Sequence, residues 1–340
     1  ALLQMTGTGT RSVFQIVFVM AGFGLLGMIV GWIIGATIVT VAALYWVQIQ
    51  PAKPEIYHIQ SLFEYAKFSW LGKLKFQAFN NIDILLLGIF VQTSFVGIYS
   101  IAWSISKFLD VFGSAIRSTL FPELSYTSAQ ESEQAAAGLV EDSLAYTGLI
   151  AIPGLVGGVI LGDRLLRLYG EGFADGATVL GFLILAVLLF SYQQQLMGGL
   201  NGLDRPDLAF RVNAVFIALN AGLNLVLIPR YGIEGAAAAS VLSTGVSLGL
   251  AYYMLSGLIT FRFPYGELSR QVVAALAMGV VVLGARELLS STGMVNNNAI
   301  IVVSLVGLGA GVYFLTLLVI STEFRATVDR NLPVDVPFLG

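Results

Sequence analysis

The amino-acid sequence predicts an all-α fold, a polytopic transmembrane helical bundle of about ten spans. Only 11% of its 340 residues are charged and 57% are hydrophobic, whereas an ordinary soluble domain is about 25% charged. Several charge-free stretches reach the roughly 20 apolar residues that one span requires. The stretch between Arg11 and Lys53 is long enough for two spans. A soluble globular protein and a disordered chain are both excluded, because each needs far more charge.

The boundaries of the predicted helices follow from charges, glycines and prolines. Gly24 and Gly27 mark a turn within the first apolar stretch. Most prolines fall at proposed helix ends, where the missing amide hydrogen costs least, and Pro153 predicts a kink inside the fifth helix. The predicted helices cover, in order, residues 12–25, 27–48, 62–91, 95–121, 140–162, 175–200, 206–228, 233–258, 267–289 and 298–320.

The remaining composition limits the chemistry. The chain has no cysteine and one histidine, so we expect no disulfide, no metal site and no Ser-His-Asp catalysis. His58 lies in a predicted loop, where a solvated surface group is expected. The net charge is −3 and no basic block occurs, which argues against nucleic acid as a partner.

Positive charges predict the orientation in the membrane. The connections on the side of the two termini carry eight Lys and Arg residues, and those on the other side carry four. Because positively charged loops stay in the cytoplasm, both termini are predicted to be cytoplasmic, in a multi-pass protein of the cell membrane.

Two hairpins of the sequence align with each other. Residues 11–46 match residues 219–254 at a constant offset of 208, which places Gly24 on Gly232 and Gly27 on Gly235. Such internal repeats are typical of transporters whose two lobes enclose a central site. The alternative is that any two glycine-rich hairpins align equally well.

Several motifs resemble a known family, the polysaccharide and O-antigen flippases of the multidrug/oligosaccharidyl-lipid/polysaccharide exporter superfamily. They are Ile82–Gly88 with Val96–Tyr99, Leu168–Phe173, and the block from Asn220 to Ala238. The resemblance extends over about residues 12–320. It implies a two-lobed transporter fold with the first lobe incomplete, so that the chain is expected to be N-terminally truncated.

The same resemblance implies a division of the chain into five parts. They are the last two helices of the N-terminal lobe (1–50), a cytoplasmic linker (51–61), a six-helix C-terminal lobe (62–260), two accessory helices (261–322) and a cytoplasmic tail (323–340).

Charged residues inside predicted helices are candidates for binding, because a charge within a membrane usually faces a cavity or a partner. Lys107, Asp110 and Arg117 share one stripe of the fourth helix with Ser114. Two cations and one anion suit an aqueous cavity that receives an anionic head group. The alternative is a structural Lys107–Asp110 pair, with Arg117 at the cytoplasmic surface.

The third predicted helix adds Lys67, Lys73 and Asp83. Lys73 is a candidate for the same cavity. Lys67, nearer the cytoplasmic end, could equally contact a lipid phosphate. Asp83 and Asp110 are candidates for ion coupling or for structural roles, and Asp83 could pair with Lys107.

Uncharged polar residues complete the candidate site. Asn220 and Asn224 lie with Asn213 on one face of the seventh helix, and Gln194 lies seven residues before Asn201 on the sixth. Amides offer the donors and acceptors that sugar hydroxyls require. Contacts between helices are the alternative, slightly favoured for the asparagines.

The resemblance implies a flippase for a polyprenyl-phosphate- or diphosphate-linked oligosaccharide, acting in cell-surface polysaccharide or glycoprotein biosynthesis. Its expected partners are that lipid-linked substrate, membrane lipids, and glycosyltransferases and polymerases of the same pathway. No cofactor is expected, but coupling to H⁺, Na⁺ or the membrane potential is open. The alternatives are a drug or cation exporter of the same superfamily and a membrane glycosyltransferase or polymerase.

Overall fold

The computed structural model describes residues 2–47, 56–57, 82–118, 133–292 and 297–331. Within these ranges the chain is almost entirely helical and has no β-strand. The chain divides into two compact units, Ala1–Lys73 and Leu74–Gly340. Each unit is considered by itself below.

The first unit contains a helical hairpin. Helix α1 (Leu2–Phe18) is followed by a short π-helical turn (Val19–Phe23) and by α2 (Gly24–Val47). Arg11, expected before the first helix, lies inside α1, where its guanidinium carbon stands 5.1 Å from the ring centroid of Trp32 on α2. The expectation of a loop there was wrong, because the helix continues through the polar residues that precede the apolar stretch.

The second unit contains nine helical segments in its described residues. They are α3 (82–90), α4 (Thr93–Phe108), α5 (Asp110–Ser118), α6 (Glu133–Leu166), α7 (Ala177–Gly202), α8 (Pro206–Ser256), α9 (Tyr265–Thr292), α10 (Asn298–Ile320) and α11 (Thr322–Asn331). Two 3₁₀ turns, Arg167–Tyr169 and Glu171–Gly176, connect α6 to α7.

The described residues include six helices that are long and apolar enough to cross a membrane, or seven if α4 and α5 form one bent span. Two of the six are helical stretches interrupted by glycines with non-helical dihedral angles, at Gly22 and Gly232. Each of these two stretches was predicted as two spans. The predicted polytopic all-α fold is confirmed.

The structure corrects three predicted boundaries. The fourth predicted helix, 95–121, is broken after Phe108 and bends by 46° into α5. The fifth predicted helix, 140–162, begins earlier, at Glu133, and continues to Leu166 as α6. The predicted tail begins with α11, whose Thr327 hydroxyl lies 2.6 Å from the Tyr146 hydroxyl of α6.

The glycine turns support the internal repeat. Gly24 has φ 50° and ψ −131°, and Gly232, 208 residues later, has φ 56° and ψ −132°. A positive φ of this kind favours glycine, since a Cβ would be strained there. The second glycines also correspond, because a Cβ on Gly27 would lie 2.9 Å from the Phe18 carbonyl carbon, and one on Gly235 would overlap the Leu227 carbonyl oxygen.

Substituting Gly235 with alanine is expected to destabilise the second hairpin. The added methyl group meets backbone atoms that cannot rotate away, and such overpacking costs about 1–3 kcal/mol. Thermal unfolding followed by tryptophan fluorescence should show a lower midpoint for Gly235→Ala. The matched control is Gly222→Ala on the same helix, where no atom lies within 4 Å of the added Cβ and the midpoint should be unchanged or higher.

Helix α7 is the centre of the second unit. It packs against α4, α6 and α8, and it contributes Leu183 to the apolar cluster with Tyr99 and Leu196 to the cluster with Leu255. A third cluster joins α6 to α9 and α10. The polar residues of α7 are therefore held between helices.

Candidate functional site

A polar cavity of about 250 Å³ lies between α5, α6, α7 and α8 of the second unit. Two predicted site residues, Arg117 and Gln194, line it together. The other lining residues are Leu139, Val140, Ser143, Gln195, Met197, Gly198, Gly199, Asn201 and Asn213. A guanidinium, four amides and a hydroxyl therefore surround one space between helices of the second unit.

A second, smaller cavity of about 40 Å³ brings together four further predicted residues. Lys107, Asp83, Asp110 and Asn220 all line it, although they come from α4, α3, α5 and α8. We call it the small cavity. Its apolar wall includes Trp103, whose ring centroid lies 5.2 Å from the Lys107 ammonium nitrogen.

An ion pair connects the residues of the two cavities. Arg117 donates from Nη2 to Asp110 Oδ2 at 3.0 Å and from Nη1 to Asp110 Oδ1 at 3.3 Å. The side chain of Arg117 is 21% exposed and that of Asp110 17%. Arg117 therefore pairs with Asp110 beside the polar cavity.

Helix α7 fixes this pair in place. The hydroxyl of Ser191 donates to Asp110 Oδ1 at 2.5 Å, and Gln195 Nε2 donates to the carbonyl oxygen of Gly113 at 3.1 Å. A Cβ on Gly113 would lie 3.4 Å from Ser191 Cβ, an ordinary contact distance, and 3.2 Å from Asp110 Oδ1, so α5 and α7 are in direct contact beside the pair. The bend after Phe108 places Asp110 at the start of α5.

Asp83 accepts hydrogen bonds from three neutral side chains. The donors are Asn224 Nδ2 to Oδ1 at 2.6 Å, Ser240 Oγ to Oδ2 at 2.7 Å and Tyr99 OH to Oδ2 at 2.9 Å. Tyr99, Asn224 and Ser240 are all buried. The carboxylate is thereby satisfied by dipoles from α4 and α8, as a charge in an apolar environment requires.

The two predicted asparagines connect α8 internally and to Asp83. Asn224 Nδ2 also donates to Asn220 Oδ1 at 3.1 Å, and Asn220 Nδ2 donates to Ser243 Oγ at 3.3 Å across the glycine break. Asn220 also lines the small cavity. Asn224 Oδ1 is buried and, among the residues that the structure describes, accepts no hydrogen bond, so this amide oxygen has acceptor capacity for a ligand.

Two predicted cations, Lys67 and Lys73, and His58 lie outside the described residues. Ser191, Gln195, Tyr99 and Ser240 were not predicted as site residues. All four side chains are uncharged, and the sequence alone gives no sign of which uncharged polar residues contact Asp83, Asp110 or Gly113. Within the described part of the chain, no three His, Cys, Asp or Glu side chains are grouped as metal ligands.

An apolar groove of about 590 Å³ lies elsewhere in the same unit. It is bounded by α4, α6, α7, α9 and α10. Three glycines of α6 line it, Gly154, Gly157 and Gly158, together with Phe108 and Tyr169. Space is open around Gly157, where an added Cβ would meet no atom within 4 Å.

Known proteins are similar to this chain in sequence and in fold. Residues 1–176 match the family described as "Polysaccharide biosynthesis protein". The chain is 33% identical over 327 residues to "Probable flippase AglR" of Haloferax volcanii, covering 94% of this chain and 67% of that protein. It is 29% identical over 291 residues to "Probable low-salt glycan biosynthesis flippase Agl15" of the same organism, covering 84% of this chain and 59% of that protein.

A solved structure has the same helical arrangement. The chain superposes on "Lipid II flippase MurJ, inward closed conformation" with a TM-score of 0.76 and 14% sequence identity, over 95% of this chain and 67% of that chain. At this identity the likeness concerns the fold alone. The family match over residues 1–176 and the 33% identity to AglR establish that the chain, a multi-pass membrane protein, belongs to the polysaccharide biosynthesis protein family.

Proposed function

We propose that the protein is a flippase, which moves a polyprenyl-phosphate- or diphosphate-linked oligosaccharide across the cytoplasmic membrane by alternating access. Two relatives are named as flippases, one of them for glycan biosynthesis. The observation that carries the proposal is the polar cavity. It holds Arg117 and several amides between helices that are apolar enough to cross a membrane. The protein is accordingly a transporter and not an enzyme.

The lining of the polar cavity suits a phosphorylated sugar. The planar guanidinium of Arg117 can donate two parallel hydrogen bonds to phosphate oxygens. Gln194, Asn201 and Asn213 supply donors and acceptors for sugar hydroxyls. A hydrophilic head group pays a large desolvation cost in lipid, and a cavity of this kind lowers that cost.

The apolar groove suits the hydrocarbon part of the same substrate. Its lining is almost entirely aliphatic, aromatic or glycine, and it offers about 590 Å³. The bilayer interior is as apolar as this groove, so a hydrocarbon chain enters it without a hydrophobic cost, and van der Waals packing against the lining holds the chain there. One lobe thus carries a space for the polar and a space for the apolar part of a lipid-linked glycan.

Coupling to a cation is proposed at Asp83. The carboxylate of Asp83, the amide oxygens of Asn220 and Asn224 and the Ser240 hydroxyl are hard oxygen ligands of the type that hard cations prefer. The unused Asn224 Oδ1 is the acceptor that a Na⁺ ion would engage. Coupling to H⁺ or to the membrane potential remains an alternative for the same carboxylate.

The other readings fit the site less well. A drug or cation exporter needs an acidic or aromatic cavity. The small cavity has such residues in Asp83 and Asp110, but the described lining of the polar cavity has Arg117 and no carboxylate. A glycosyltransferase or polymerase needs acidic residues positioned for catalysis, and the relatives are named as flippases.

We further propose that both termini are cytoplasmic and that glycosyltransferases and polymerases of the same pathway supply and consume the substrate.

Translocation in vesicles tests the proposed function. Full-length protein reconstituted into liposomes should move a fluorescent prenyl-diphosphate-linked disaccharide between leaflets, measured as dye protected from an external quencher. Protein-free liposomes are the control. A rate equal to that control, or export of a cationic dye instead, contradicts the proposal, and cleavage or extension of the glycan indicates an enzyme.

A further inference from the structure

The Asp110–Arg117 ion pair joins residues that face different cavities. Arg117 lines the polar cavity, and Asp110 lines the small cavity together with Lys107. Both charged side chains are partly exposed, so the described residues do not fully enclose the pair. An ion pair of this kind can be opened by a competing anion.

We infer that Asp110 is the resting counter-ion of Arg117, and that the anionic group of the transported lipid displaces it. This inference rests on the proposed function and describes how the same site is regulated. Asp110 engages both terminal nitrogens of Arg117, in the bidentate geometry that a phosphate also adopts. A phosphate at that fork would lie beside the carboxylate, and two like charges so close repel each other.

The displaced carboxylate keeps favourable groups close by. Ser191 still donates to Asp110 Oδ1, and Lys107, which lines the same small cavity, precedes Asp110 by three residues. Moving Asp110 from Arg117 toward Lys107 keeps a cation beside the carboxylate. The exchange therefore avoids the large cost of leaving a charge unpaired away from water.

The counter-ion sets both selectivity and release. A neutral head group cannot compete with Asp110 for Arg117, so only an anionic head group gains access to the guanidinium. Because Asp110 returns when the substrate leaves, the carboxylate also weakens the bound state. A transporter needs such weakening, because a head group held too tightly is not released on the other side.

The test compares the binding of two probes to the full-length protein in lipid nanodiscs, by microscale thermophoresis. The probes are farnesyl diphosphate, which is anionic, and farnesol, which is neutral. Asp110→Asn should raise the affinity for farnesyl diphosphate by about tenfold, within the usual range of coupling between sites, and leave that for farnesol unchanged. Its translocation rate in vesicles should fall, because release slows. Adding Arg117→Gln should abolish the gain.

Two further variants keep the test decisive. Ser191→Ala removes only the hydroxyl that holds Asp110 and should raise the diphosphate affinity by a smaller factor, while the protein folds normally. Asp207→Asn is the matched control, because Asp207 forms a surface pair with Arg205 at 3.0 Å, and it should change neither affinity.

The counter-ion role is wrong if Asp110→Asn and Ser191→Ala leave the diphosphate affinity unchanged or lower it, since a carboxylate that merely orients Arg117 would give a loss. The proposed function fails separately, when the wild-type protein binds the diphosphate but moves no lipid-linked glycan in vesicles.

Discussion

Replacing Arg117 with glutamine is expected to weaken binding of a prenyl diphosphate by about 30- to 150-fold, equivalent to about 2–3 kcal/mol. The substitution removes the guanidinium from the polar cavity. It also leaves Asp110 without its bidentate partner, so that a carboxylate near the cavity repels the incoming anion. Both changes lower the affinity for the prenyl diphosphate.

The measurement is the affinity for farnesyl diphosphate in nanodiscs, together with the translocation rate in vesicles. Arg167→Gln is the matched control, because Arg167 is an exposed arginine that lies 3.7 Å from Glu171 at the end of α6. It should leave both quantities unchanged. Arg117→Lys should recover part of the affinity, since the charge returns without the planar fork. Translocation by Arg117→Gln at the wild-type rate would remove Arg117 from the substrate site.

Replacing Asp83 is expected to have the second large effect, which is on the unfolding temperature of the protein and on the dependence of that temperature on Na⁺. Asp83→Ala leaves three buried donors, on Tyr99, Asn224 and Ser240, without an acceptor. Each loss costs about 1–3 kcal/mol, so the variant should unfold at a clearly lower temperature or fail to express. Asp83→Asn keeps the size of the side chain and one acceptor oxygen, and it should fold.

Thermal unfolding at increasing NaCl, with KCl at equal ionic strength as reference, separates the two roles of Asp83. If Na⁺ binds the folded protein at Asp83, it raises the unfolding temperature of the wild type, and Asp83→Asn should lose this rise. Asp163→Asn is the matched control, because Asp163 pairs with Arg286 at 2.9 Å outside this network. A Na⁺-dependent rise that persists in Asp83→Asn contradicts a sodium site at this carboxylate.

The sequence predicted a feature wherever that feature requires a particular type of residue. Gly24 and Gly232 lie in a backbone conformation that favours glycine, and the repeat of their spacing was visible without coordinates. Arg117 and Gln194 stood out because polar groups inside a span are costly, and the structure brings them to one cavity. Asp83 was identified in the same way.

Partner choice and local bending were not predictable, because they depend on neighbouring helices. Helical spacing favours a pair of Asp110 with Lys107, three residues before it, and it gave no sign of the observed pair with Arg117, seven residues after it. The stacking of Lys107 near Trp103 and the anchoring of Asp110 by Ser191 favour the pair with Arg117. No proline or glycine at the bend after Phe108 predicts it. The structure shows a contact with α7 just beyond the bend, where Gln195 Nε2 donates to the carbonyl oxygen of Gly113.

The apolar groove has a practical consequence for any study of this protein outside a membrane. Alkyl detergents have the same methylene chemistry as a lipid tail, and a groove of about 590 Å³ accommodates them. If the lipid tail of the proposed substrate binds in this groove, detergent molecules compete with it at a concentration far above that of any added ligand. Affinities measured in micelles will be underestimated, most strongly for long-chain substrates, and a short-chain or bulky steroid-based detergent will disturb binding least.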